Sequence, residues 1–206
     1  MKTAVISWTM QQAVLFQAVL LTVQGVLYFG SSYARKSFRN VMRKADKHIP
    51  FYPPAVFVYL LWFPLVAAFP LMLFRFSRAV YLRYILSILT GVAVSAAVYL
   101  IFPTGFARPV PPDTLSGRVL KAVQKSDSRG VNCLPSLHCT QCFTVIPFAY
   151  VCTEMPFLLR FCAVLLSLCI TASTVLTKQH ALLDVTAAVP TAAISILSGN
   201  LLSHCL

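Results

Sequence analysis

The chain has 206 residues, 58% of them hydrophobic and only 11% charged, with a formal net charge of +12. A soluble domain carries about a quarter charged residues, so that class is excluded, and the mean hydropathy of +0.78 points to an integral membrane protein. The positive charge does not indicate nucleic acid, because no aromatic-studded basic surface or soluble binding module accompanies it; it fits anionic headgroups and topology.

Apolar runs near the roughly 20 residues that cross a bilayer as helix fall at 8–30, 54–74, 84–102, 136–153, 157–176 and 181–202. They predict an all-α fold: a polytopic bundle of six transmembrane helices, forming one membrane-embedded domain over 1–206. The first run holds Gln11, Gln12, Gln17 and Gln24, and no small-residue cleavage site follows Tyr28, so it reads as a retained helix. Its amides are expected to face other helices, since lipid would leave them unpaired. A basic loop follows, with Arg35, Lys36, Arg39, Arg43, Lys44 and Lys47. Pro64, Pro70, Pro147 and Pro190 lie inside runs and predict kinks. The seven cysteines imply no disulfide framework, and "CTQC" at 139–142 reads as small packing residues on a helix.

The connection 103–135 is expected outside the bilayer. It opens on "FPTGFARP", with Arg108, and closes on "NCLPSLHC", with Asn132, Ser136, Leu137 and His138. Between the last two runs lies "STVLTKQHALLDV", residues 173–185, with Lys178, His180 and Asp184. Six spans put the loops 31–53, 103–135 and 177–180 on one side, so these polar residues can meet at one membrane surface. Taken singly each has a plain explanation: Arg108 as a snorkelling arginine, Ser136 as a helix N-cap, His138 as an interfacial histidine, Lys178 as a topology charge. Asp184 is different, because a carboxylate inside "ALLDVTAAV" needs a partner.

If the last helix begins near His180, Asp184 lies four residues on and shares its face. A carboxylate so placed fixes the imidazole's tautomer and leaves the other nitrogen as a nucleophile or base. Arg108, Lys178 and the free amides after Pro135 suit an anion with several oxygens, which implies a phosphate ester. His138 would protonate the leaving oxygen, and the membrane setting makes the rest of the ester a lipid. A zinc site of His138, His180 and Asp184 is the competing chemistry. Nearby cations oppose it, no HExxH spacing or Walker motif is present, and the expectation is no metal and no cofactor.

At these residues the chain resembles the type-2 phosphatidic acid phosphatase superfamily. Its three motifs are Lys, six residues, Arg-Pro; Pro-Ser-Gly-His; and Ser-Arg, five residues, His, three residues, Asp. The counterparts are "ARP" at 107–109, "PSLH" at 135–138 and "STVLTKQHALLD" at 173–184, in the same order and at the same span ends. The segment "DKHIPFYP" at 46–53 also resembles the branch that includes sphingolipid phosphotransferases. The resemblance implies His180 as nucleophile, Asp184 as its orienting partner, His138 as general acid, and Arg108 with the Ser136 region on the phosphate. Two cations depart from the pattern: Ile101 stands where the first motif has lysine, and Thr174 where the third has arginine. Lys178 is a candidate replacement for one of them, and Leu137 replaces the glycine, as in variants associated partly with headgroup transfer.

The leading expectation is a lipid phosphate phosphatase acting on a phosphomonoester or pyrophosphate through a phosphohistidine. Transfer of a phospho-headgroup to a lipid hydroxyl, of ceramide or diacylglycerol, is the alternative of the same chemistry. A non-catalytic phospholipid-binding or transport protein is the alternative of another class. Twelve of the 17 Lys and Arg lie on the site side, which by the positive-inside rule favours a cytoplasmic site. The resemblance favours the extracytoplasmic or lumenal face, and charges beside a phosphate site have a reason other than topology. Neither the lipid nor an oligomeric state is legible in the sequence.

Overall fold

The computed structural model describes residues 7–33, 37–127 and 129–205; Arg35 and Lys36 of the basic loop lie outside them. The described chain is mainly helical: α1 (Met10–Tyr33), α2 (Val56–Leu60), α3 (Trp62–Phe76), α4 (Arg78–Ile101), α5 (Leu115–Ser126), α6 (Leu137–Val151), α7 (Phe157–Leu176) and α8 (Leu182–Cys205). Two-residue strands β1 (Arg39–Asn40) and β2 (Thr104–Gly105) and 3-10 turns at Lys44–His48 and Pro53–Ala55 complete the described elements. Among the described residues, five helical segments are long and apolar enough to cross a membrane, α2 and α3 joining with the turn before them into Pro53–Phe76. The expected sixth, α6, has only 15 residues, or about 22 Å of rise against a hydrocarbon core of about 30 Å.

Packing follows membrane rather than soluble logic. α4 and α8 meet through Ser87, Gly91, Ser195 and Gly199, and a Cβ on Gly199 would stand 2.2 Å from the Ser87 hydroxyl oxygen. Small residues let the two backbones approach closely where lipid offers no hydrophobic drive. Phe69, Leu73, Tyr84, Val145 and Phe148 fill the interior between α3, α4 and α6. Leu15, Val26, Leu165, Leu197 and Leu201 face outward, an apolar exterior that fits a lipid surround.

The glutamines of α1 divide. Gln17 donates to the Val66 carbonyl at 2.9 Å, and Gln24 accepts from the Gln141 amide at 2.5 Å, both deep between helices. Gln11 and Gln12 are exposed, contrary to expectation. Gln12 accepts from the Thr9 amide at 2.8 Å while Thr9 accepts from the Gln12 amide, a reciprocal cap at the helix end.

The connection 103–135 is not an open loop: α5 occupies its middle, with Thr114 as N-cap accepting from the Gly117 amide. The three polar connections do meet. β1 pairs in parallel with β2, and Gly105 bridges to Val131. A Cβ on Gly105 would lie 2.5 Å from the Gly130 carbonyl, so only glycine allows that approach.

Candidate functional site

His180 is positioned by the end of α7. The Gln179 amide donates to the Thr174 carbonyl and the Lys178 amide to that of Val175, the pair of bonds that defines a Schellman cap. Lys178 takes the left-handed position at φ 53°, where glycine is usual. This cap reverses the chain within a few residues and delivers His180 just ahead of α8.

The last helix therefore starts at Leu182, later than expected, and His180 precedes it. The shared helical face supposed for His180 and Asp184 does not exist, yet the two still meet, with Nδ1 3.4 Å from Oδ2. The reason is the helix start itself: Asp184 folds back to accept the Ala181 amide at 2.8 Å, the carboxylate half of a capping box. His180 Nδ1 and Asp184 Oδ1 have no hydrogen bond, although both residues are buried.

His138 lies in the first turn of α6. Ser136 is the N-cap, its Oγ accepting from the Cys139 amide at 3.3 Å and its own amide donating to the Asp184 carbonyl at 3.2 Å. The hydroxyl is thus spent on the cap and is fully buried. Leu137 turns its side chain into the hydrophobic core, which leaves its main chain as the only polar group it offers. The His138 ring lies against Trp62 and Tyr59, with centroids 4.3 and 4.7 Å away, and its centroid is 5.7 Å from that of His180.

Arg108 has a partner that the sequence did not suggest. Its guanidinium pairs with the Asp127 carboxylate at 2.7 Å and with the Asp127 carbonyl at 3.2 Å. Tyr28 of α1 donates to the same carboxylate at 3.1 Å. Burial works against the arginine's charge, but the Asp127 carboxylate more than offsets it, and the pKa lies above its ordinary value. Nε is buried without a hydrogen bond.

Lys178 does not reach the histidines. Its Nζ donates to the carbonyls of Asp46 and Ile49, each at 2.7 Å, and burial lowers its pKa, with Asp46 opposing. Asp46 is a second acid to which the sequence assigned no role. It is buried, and its carboxylate accepts from the Leu182 amide at 2.7 Å, a negative charge at the start of α8. A capping residue 136 positions away leaves no local spacing to read.

The positions that depart from the family pattern do not face the histidines as cations. Ile101 is 80% exposed at the end of α4, and Thr174 is buried, its carbonyl taken by the Gln179 and His180 amides. Among the described residues, the donors within reach of a common metal ion are Cys133, His180 and Asp184, all within 4.8 Å of one another. Cys133, not His138, is the third member. Its thiol is pushed far up by burial and by the Asp184 carboxylate, while metal ligation needs the thiolate.

Two hollows are lined by neighbouring residues, though neither by Cys133, His180 or Asp184. A cavity of about 530 Å³ between α1, α3 and α5 reaches His138, Gln179 and Asp127. A cleft of about 520 Å³ is lined by Lys47, Phe106, Arg108 and Lys178. The Arg108–Asp127 pair contributes one residue to each. Compared with family models, curated proteins and solved structures, the chain matches none.

Proposed function

We propose that the chain is a six-span integral membrane lipid phosphate phosphatase of the type-2 phosphatidic acid phosphatase kind, acting on a phosphomonoester or pyrophosphate. The observation that carries this reading is the meeting of two histidines, 5.7 Å apart between ring centroids, one of them directed by a buried aspartate. Arg108 lines the second hollow and is paired with Asp127, which lines the first.

With Nδ1 toward Asp184, His180 presents Nε2 as the nucleophile. It attacks phosphorus, the bond to the lipid oxygen breaks, and His138 gives its proton to that oxygen. Water then attacks the phosphohistidine, His138 takes a proton from it, and inorganic phosphate leaves with Nε2 restored. Asp184 offsets the imidazolium charge in both steps. Arg108 and the first-turn amides of α6 hold the phosphate oxygens, and Lys178 holds the 43–49 turn against the site. None of these steps calls on a metal or cofactor. The site is proposed to face the extracytoplasmic or lumenal side.

Leu137 in place of the motif's glycine favours a second reading, headgroup transfer to a lipid hydroxyl by the same phosphohistidine. The experiment is phosphate release by purified protein from phosphatidate, lysophosphatidate, phosphatidylglycerophosphate and isoprenoid pyrophosphate, beside His180→Ala. Release that disappears in the variant is expected. Release unchanged in the variant would end the phosphohistidine reading, and no release from any substrate would favour transfer.

A further inference from the structure

Cys133, His180 and Asp184 come from three separate stretches of chain, and each is fixed from behind. The Cys133 amide donates to the Thr104 carbonyl at 3.3 Å and the Leu134 amide to the Thr104 hydroxyl at 2.9 Å, which holds this backbone beside β2. His180 is held by its own amide on the Thr174 carbonyl at 3.1 Å. Asp184 spends Oδ2 on the Ala181 amide and keeps Oδ1 unpartnered, as His180 keeps Nδ1. Unpartnered polar atoms in residues only 0% and 5% exposed are costly for a fold to keep. The thiol beside them makes one long bond, 3.6 Å to the Gly130 carbonyl.

Charge and spacing both suit a divalent cation. A thiolate and a carboxylate carry two negative charges and a neutral imidazole none, so one such ion would leave the buried group uncharged. The cations that would repel it are engaged elsewhere, Arg108 by Asp127 and Lys178 by two carbonyls of the 43–49 turn. The raised thiol is no bar, because a coordinated thiol passes its proton to water as the ion binds. Donors that share one zinc ion lie about 3.3–3.6 Å apart. His180 Nδ1 and Asp184 Oδ2 already stand at 3.4 Å, and the whole set lies within 4.8 Å. Sulfur and imidazole nitrogen select zinc, cobalt(II) or cadmium over magnesium and calcium. Phe106 lines the cleft and also packs with Cys133 in one apolar cluster, so a single ring parts the set from that hollow.

The geometry points to Cys133, His180 and Asp184 as the binding site for one zinc-class divalent ion, which disables His180 for as long as it is bound. The ion is not a cofactor of the reaction but a means of switching it off. A neutral imidazole has one proton and one lone pair between its two ring nitrogens. An ion on Nδ1 drives the proton to Nε2, and an ion on Nε2 occupies the nucleophile directly. Either way no lone pair is left to attack phosphorus. The loss of activity rests on the phosphohistidine reading, whereas the binding of the ion does not.

Cobalt(II) is the probe, because a thiolate ligand gives it a charge-transfer band in the near ultraviolet that oxygen and nitrogen ligands do not. Detergent-solubilised protein, with the exposed Cys162, Cys169 and Cys205 replaced by serine, is titrated with cobalt(II) and then with zinc. The band should appear with one equivalent per chain and vanish as zinc displaces cobalt. Cys133→Ser in that background should lose the band and bind zinc at least about tenfold more weakly, while Cys139→Ser should keep both. Should Cys133→Ser fail to fold, His180→Ala should weaken zinc binding by a similar factor and keep the band at higher cobalt. With phosphatidate as substrate, zinc should suppress phosphate release, and Cys133→Ser should need about tenfold more zinc for the same suppression. Zinc that only complexes the lipid phosphate would inhibit both proteins alike. Such equal inhibition, an absent band, or a band that Cys133→Ser retains would overturn the proposal. A band lost in Cys133→Ser, in a protein that releases no phosphate with or without metal, would support the ion site and remove the phosphatase reading. Phosphate release from a protein without the band would do the reverse.

Discussion

Arg108 is expected to be the phosphate's ligand, yet it is held by a carboxylate. An ion pair whose members are only 9% and 16% exposed is costly to break from one side, about 3 kcal/mol, because the remaining charge is stranded. Asp127→Asn should therefore lower the melting temperature of the empty protein. If phosphate takes the place of that carboxylate, millimolar inorganic phosphate should stabilise the variant more than wild type, since it supplies the missing anion. Equal shifts in a thermal-denaturation series would show that Arg108 holds no substrate anion. The paired histidines make a second claim at this scale: His138→Ala should slow release from a lipid phosphate far more than from p-nitrophenyl phosphate, whose leaving group departs without a proton. Equal losses on both substrates would take the acid role from His138. His180, Asp184 and Arg108 were legible as polar residues in apolar surroundings, whereas Asp127 sat in a stretch already polar and drew no notice.

The turn between α7 and α8 decides where His180 points. Lys178 sits where glycine is favoured, at a cost of about 1 kcal/mol, and its side chain ties the 43–49 turn to the cap through two carbonyls. Lys178→Gly should relieve the backbone and lose the tie; Lys178→Ala should lose the tie alone. Both variants are thus expected to lose activity several-fold, with the glycine form about 1 kcal/mol more stable than the alanine form in denaturant titrations. Full activity in both would confine Lys178 to the backbone of the turn. The helix start was misread for a related reason: periodicity carries through "KQHALLD" without a break, and only the Schellman bonds stop α7 and restart the chain at Leu182. α6 also ended shorter than its apolar run, because Ser136 caps it at one end and the chain turns at Cys152 to Met155 at the other.

Over the whole molecule, the polar connections form one layer at one end of the helices, and the side of the membrane they face is the open question of topology. Cys133 cannot report it, since its thiol is fully buried and its pKa is raised far above the ordinary range; a maleimide should label it only after denaturation. Asp113, beside the start of α5, has a side chain 96% exposed. A single cysteine there, Asp113→Cys, with the exposed Cys162, Cys169 and Cys205 replaced by serine, should react from the extracytoplasmic or lumenal side of sealed vesicles. Labelling from the cytoplasmic side alone would invert the proposed orientation. The charge distribution and the family resemblance pull in opposite directions here, which is why a chemical readout and not a residue count must decide.

The sequence alone determined the helical class, the apolar segments and the three polar stretches between them, because burial in lipid constrains composition over 20 residues at a time. It also placed His138, His180 and Asp184 in one neighbourhood, through the alternation of loops. The tertiary structure decided the partners: Asp127 on Arg108, Asp46 on the start of α8, Cys133 beside His180, and the cavity reaching His138. Those contacts join residues from separate connections through caps and single hydrogen bonds, and such bonds depend on where helices end in space, which no local pattern of residues specifies.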